Sequence, residues 1–249
     1  MALLVGMLCP ATGAVLITHR RLLQANLISH AVVPGIVLAL AIGVDPSLGG
    51  MLSGLVGALV AERLSSKSKG NNEGVINTVL AGTLGLGVLL IPLLGSLRVD
   101  LESILFGDLL AVGQADLIRS LLAATALLLL LKTSYQKLVY IGLDPEGAAA
   151  SGLNVSSVRL ALGFVTALVL VSSMAAVGVI LVIGLLSAPA LFGLNHAPSL
   201  HSAMVRSAGY GTLLTFIGFL LSIGFNLSPG PLIGVLCLLS LSFLREKLK

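Results

Sequence analysis

The sequence predicts an all-α polytopic membrane protein, a helical bundle of about eight or nine transmembrane helices. Three observations predict it. Of 249 residues, 57% are hydrophobic and only 10% charged, where an ordinary soluble domain is roughly one quarter charged. The mean hydropathy of +1.10 is more than one soluble core can hide, so lipid must serve as solvent. The apolar stretches are of about spanning length and apolar throughout, whereas barrel strands alternate apolar and polar residues. The 29 glycines and 4% aromatics further predict closely packed helices, because small residues let backbones approach.

In chain order the apolar stretches are 2–18, 27–43, 47–61, 76–95, 117–131, 158–173, 176–194, 208–225 and 231–244. The first is not a cleavable signal by pattern, since no basic region precedes it and membrane sequence follows. Several are shorter than the roughly 20 residues a straight span needs. If the count is eight, one of the pair flanking Ser172 and Ser173 is lost. Between the fourth and fifth stretches, LESILFGDLLAVGQADL (101–117) is amphipathic and carries Glu102, Asp108 and Asp116. It reads as a short re-entrant or interfacial helix. No long linker interrupts the chain, so 1–249 is expected to form a single transmembrane domain.

Loop charge orients the bundle. HRR (19–21), ERLSSKSKG (62–70), the 132–159 loop and REKLK (245–249) are basic, while VDPS (44–47), RVDLE (98–102) and NLSPGP (226–231) carry only Arg98 as a base. The positive-inside bias then places the basic loops and the C-terminus in the cytoplasm. The same bias accounts for the net charge of +4, so no nucleic-acid partner is implied. Cys9 and Cys237 lie in apolar stretches with no CxxC spacing, and read as small membrane-core residues.

Three constellations could carry function. In ANLISHAVVPGIVLAL (25–40), Asn26 and His30 are four apart and share a helix face. Pro34 removes a backbone donor and Gly35 loosens the chain, which predicts a kink or a broken helix just after His30. Freed carbonyls beside an imidazole could form a polar patch on an ion path. Histidine suits zinc and late transition metals without selecting among them. The plainer reading is an interfacial histidine bonded to a carbonyl or a lipid phosphate. The second constellation is YIGLDPEGAAASGLNVSSVRL (140–160). Asp144 is a good N-cap and Pro145 suits the first helical position. Glu146 fits the first turn, Ala148 and its neighbours propagate the helix, and Gly152 can end it. So short a helix is marginal alone, which favours a docking element over a plain loop. The third is SAPALFG (187–193), where Pro189 makes a gate or a packed kink, with Ser187 near the freed backbone groups. Gly50, Gly54 and Gly57 read as a packing stripe. Asp108 is a possible second pathway residue. His196 and His201 fall in a loop, at a spacing that would permit metal binding although solvated loop histidines usually bind nothing. There is no GxxxxGK[ST], HExxH or GxSxG motif and no acidic pair for acid–base work, so the chain neither holds a nucleotide itself nor reads as an enzyme.

LLQANLISHAVVPGIVLA, LFGDLLAV, GLDPEGAAASGL, VGVILVIGLLSAPAL and NLSPGPLIGVL together resemble, in order and over nearly the whole chain, the permease subunit of bacterial zinc/manganese/iron ABC transporters. The resemblance implies an ABC importer permease in the bacterial plasma membrane, with no permanently bound cofactor, that passes a divalent transition-metal ion. It implies a homodimeric pore, a cytoplasmic ATPase subunit that uses ATP, and an extracytoplasmic metal-binding protein that delivers the ion. His30 looks like the family's motif histidine, with Asn26 and Asp108 beside the path. Asp144, Pro145, Glu146, Ala148 and Gly152 look like the coupling helix. The chain departs from the family at Asn26, where an aspartate usually stands, and it starts closer to the first motif than relatives do. The rival from another class is an ATP-independent secondary transporter or channel, which would call for more intramembrane charge. A membrane-embedded enzyme lacks any catalytic set.

Overall fold

The computed structural model describes residues 1–67, 72–93, 107 and 112–245. The described residues form the helices α1 (Ala2–Thr18), α2 (Leu22–Ile42), α3 (Pro46–Lys67), α4 (Asn72–Leu93), α5 (Gln114–Leu143), α7 (Val155–Val177), α8 (Val179–Asn195), α9 (Leu200–Phe225) and α10 (Pro229–Arg245), each carrying most of one apolar stretch. The short α6 (Pro145–Ala150) stands between α5 and α7. Among the described residues, α2, α4, α5, α7 and α9 are long and apolar enough to cross a membrane, while α1, α8, α10 and the apolar part of α3 are shorter.

Small residues decide which helices touch. On α2, Gly35 opposes Gly49 of α3 so closely that a Cβ on either would run into the other's carbonyl. Further along the same contact, Gly54 packs against Ile28 and Val32, and Gly57 packs against Ala31. The Ser53 hydroxyl donates to the Ala31 carbonyl at 2.6 Å. The predicted stripe of Gly50, Gly54 and Gly57 is therefore the face of α3 that meets α2. From α4, Gly87 packs on the Pro34 ring. These helices form one group, α2 with α3 and α4. A second group packs α1 against α8 and α9, with α10 covering α8 and α9, while α5 lies along α7. The main core joins Val5, Val15, Leu170, Leu185 and Leu186, all fully buried.

One end of the bundle gathers Thr18, Tyr135 to Leu143 and Leu194 to Ala203 around an open groove of about 660 Å³. The other gathers Met1 with Ser120 and Asp45 with Arg119.

Four details differ from the sequence reading. Helix α5 runs to Leu143, not to 131, so most of the expected 132–159 loop is helix. Leu138 and Ile141 are buried there, which keeps the helix packed after hydropathy falls at Lys132. Likewise α9 starts at Leu200, which puts His201 in its first turn and not in a loop. The break between α7 and α8 is at Gly178, a few residues beyond the 173–176 boundary between the two apolar stretches. Gly178 has φ 85° and ψ 162°, a conformation essentially reserved for glycine. By contrast, Ser172 donates back to the Val169 carbonyl at 3.0 Å and stays helical. Finally, of the kink or broken helix expected after His30, the break is absent. Helix α2 continues through Pro34 to Ile42, because a proline deletes only one ladder bond and Gly49 and Gly87 brace α2 from two sides.

Candidate functional site

The Asn26–His30–Pro34 segment lies inside α2, braced by α3 and α4. Its neighbours Leu27, Ile28, Ser29 and Ala31 are almost completely buried, while Asn26 and His30 are half-buried. Ser29 is satisfied by the Ala25 carbonyl at 3.1 Å. His30 is not: its Nδ1 is buried and has no hydrogen-bond partner among the described residues. The carbonyl that Pro34 deprives of its amide is that of residue 30, four positions earlier. One residue therefore offers an imidazole nitrogen and a backbone oxygen that lacks its helical amide, both without charge. An unmet buried donor or acceptor is costly. Gly35, on the adjacent face, is the contact point with α3.

No three His, Cys, Asp or Glu side chains come together as a metal cage among the described residues. The donors on this segment are neutral nitrogen and oxygen atoms, and the described residues do not enclose a cation there. Asp108 lies outside the described residues. Gly107 before it has φ 69° and sits against Val177 and Gly178 at the α7–α8 break. That break packs in turn, through Met174 and Val179, on Val32 of α2.

Pro189 is buried within a continuous α8. The carbonyl it deprives belongs to Leu185, whereas the Ser187 hydroxyl donates to Ile183 at 2.8 Å and to Gly184 at 3.3 Å. Ser187 therefore does not satisfy the freed group, contrary to the sequence reading. His196 closes α8, with its Nδ1 2.8 Å from the Phe192 carbonyl.

Helix α6 follows its sequence grammar bond by bond. Asp144 Oδ1 accepts from the Gly147 amide at 2.8 Å, and Pro145 occupies the first helical position. Beyond the Ser151 cap, Gly152 has φ 83°. The Gly152 amide bonds Ala149 at 3.0 Å and the Leu153 amide bonds Ala148 at 3.1 Å. That pair of bonds is a complete Schellman ending. Ala148 is fully buried and, with Leu153, joins the main core. Asp144, Pro145, Glu146, Ala149, Ala150 and Gly152 are all exposed. One methyl group anchors the helix, Gly147 is half-buried, and the other positions of the helix are exposed. It follows α5 with no intervening loop, and both flanking helices bear on it.

His19 is a site the sequence reading did not single out. In HRR it counted only as loop charge. The structure tucks its ring under Gly142 of α5, next to Arg21, Arg159 and the Leu138 backbone. Burial, then the two arginines, push its pKa down to about 4. The one available signal was its place immediately after an apolar run, and that does not reveal what covers it.

The ABC 3 transport family pattern matches residues 1–246. The chain is 30% identical over 229 residues to "Manganese transport system membrane protein MntC" of Halalkalibacterium halodurans, covering 92% of this chain and 78% of that protein. It is 30% identical over 232 residues to "Manganese import system permease protein ScaB" of Streptococcus parasanguinis, covering 93% and 82%. Among solved structures, a chain of PsaBC from Streptococcus pneumoniae in complex with Fab superposes with a TM-score of 0.86 at 30% identity, covering 96% of this chain and 86% of that one.

Proposed function

The chain belongs to the ABC 3 transport family, and from that premise we propose that it is the permease subunit of an ATP-driven importer of divalent transition-metal ions. The observation that carries the ATP-driven part is α6. A doubly capped six-residue helix with one buried side chain is too short to be stable by itself, and its exposed face suits a groove on a cytoplasmic ATPase. Asp144, Pro145, Glu146, Ala148 and Gly152 form that coupling element. His30 lines the metal path, with Asn26 one turn before it. A neutral site holds a cation loosely, which serves a path that must release what it binds. Pro34, Gly35 and Pro189 mark where α2 and α8 could shift as the path opens.

In this reading the groove-bearing end of the bundle faces the cytoplasm, with the C-terminus on that side. Eight or nine helices cross the bilayer, and two copies form the pore. An extracytoplasmic metal-binding protein delivers the ion. Nitrogen and oxygen donors suit manganese, zinc and iron alike. The manganese names of the relatives make manganese the first ion to test.

The test is uptake of radiolabelled manganese in cells that lack other manganese importers and co-express the ATPase. His30→Ala is expected to reduce uptake at least ten-fold while the ATPase still co-purifies. Gly147→Arg, on α6, is expected to abolish both uptake and co-purification. Normal uptake by His30→Ala removes it from the path, and normal uptake by Gly147→Arg removes α6 from the coupling.

A further inference from the structure

Arg119 lies in the second turn of α5, at the end of the bundle opposite α6, and forks between two carboxylates. Its Nη1 donates to Asp116 Oδ1 at 2.8 Å, and its Nη2 donates to Asp45 Oδ2. Each carboxylate uses its other oxygen to start a helix. Asp45 Oδ1 accepts from the Ser47 amide at 2.9 Å, at the head of α3. Asp116 Oδ2 accepts from the Gly113 amide at 3.1 Å, at the head of α5. The Ser47 amide, with Arg119 adding to it, holds the Asp45 carboxyl below the usual carboxylate range.

What the pair joins gives it meaning. Asp45 sits between the end of α2 and the start of α3, in the group that contains His30. Helix α5 packs on α1, α6 and α7 but shares no packed face with α2, α3 or α4 among the described residues. The Arg119–Asp45 pair bridges 74 positions of sequence and ties α5 to a group of helices with which it shares no packed face, although α7 and α8 do pack on that group. Helix α5 has 30 residues, so at about 1.5 Å per residue it reaches roughly 45 Å. It leads directly from this pair to α6.

We propose that the Arg119–Asp45 pair is the outer latch of the metal path: it ties the outer ends of α2 and α3 to α5, and it parts when the path opens on that side. This rests on the permease reading above. Arg119 is then a positioning residue, set by the coupling helix through the length of α5.

Two measurements test the latch, both on the full chain with its ATPase and with manganese as the probe. In the first, an Asp45→Cys/Arg119→Cys variant is bridged by a short bis-methanethiosulfonate linker. Both native cysteines are buried, and single-cysteine variants control for stray labelling. Bridging is expected to reduce uptake at least ten-fold, with recovery on reduction. Full uptake after complete bridging overturns the latch.

The second measurement does not depend on that variant folding well, because the amides in Asp45→Asn and Arg119→Gln leave both helix caps in place. Each is expected to change the ATP hydrolysed per ion carried at least three-fold, and the double variant to change it no more than either alone. Additive effects, or none, overturn the proposal. If the unaltered chain carries no metal, the permease reading fails and the latch with it. Normal transport that is indifferent to bridging overturns the latch alone.

Discussion

His19 shows how much a single residue's surroundings can change it. In a solvated loop its ring would titrate near the ordinary 6.5. Burial under α5, helped by Arg21 and Arg159, pushes the value to about 4. The folded protein therefore resists a proton that the unfolded chain accepts. That favours folding fully above pH 6.5, and the advantage is lost as pH falls from 6.5 to 4. His19→Gln is expected to flatten the dependence of melting temperature on pH across that window and to change little above pH 7. Equal slopes for the two proteins would mean that His19 does not titrate as described. His30 is a contrasting case. The sequence identified it by type and motif, but only the structure shows that its Nδ1 has no partner among the described residues while Ser29 beside it is satisfied. Asn26 was equally legible as the neutral substitute for a family aspartate, since that requires only a residue name.

At the scale of elements, α6 was the most legible because every bond that defines it is local. Its N-cap spans three residues and its Schellman ending five, so the letters alone specify them. Asp144→Ala is expected to cost the cap about 1 kcal/mol, and Gly152→Ala to strain a left-handed backbone by about 1 kcal/mol or more. The bundle does not depend on either, so the expected signature is selective. Amide hydrogen exchange should rise in 145–153 and ATPase co-purification should fall, with the melting temperature shifted by only a few degrees. A global loss of protection would mean that α6 is part of the core and not a docking element. The element-level errors share a cause as well. The ends of α5 and α9 were placed where hydropathy falls, but a helix with a lipid-facing side continues wherever one face stays buried, as at Leu138 and Ile141. Of the kink or break expected in α2, the break is absent, because α3 and α4 press on Gly35 and Pro34.

At the scale of the whole molecule, basic and non-basic loops alternate along the chain. This alternation makes a direct expectation about sidedness. A cysteine at Pro46 should react with a membrane-impermeant maleimide in intact cells, and one at Ala150 should react only after the membrane is opened. The reverse pattern would invert the bundle and place α6 away from any cytoplasmic ATPase. Composition, loop charge and the grammar of α6 are properties of short segments or of sums over the chain, and the sequence determined them by itself. It also determined that nine apolar segments exist and that His30 and Asn26 share a face. Only the tertiary structure decided that Gly35 meets Gly49, that Gly178 separates α7 from α8, and that His19 lies under α5. The same is true of Arg119 reaching Asp45 across 74 positions. Each of these depends on which distant residue arrives opposite. That is settled by how whole helices fit together, and no local pattern encodes it.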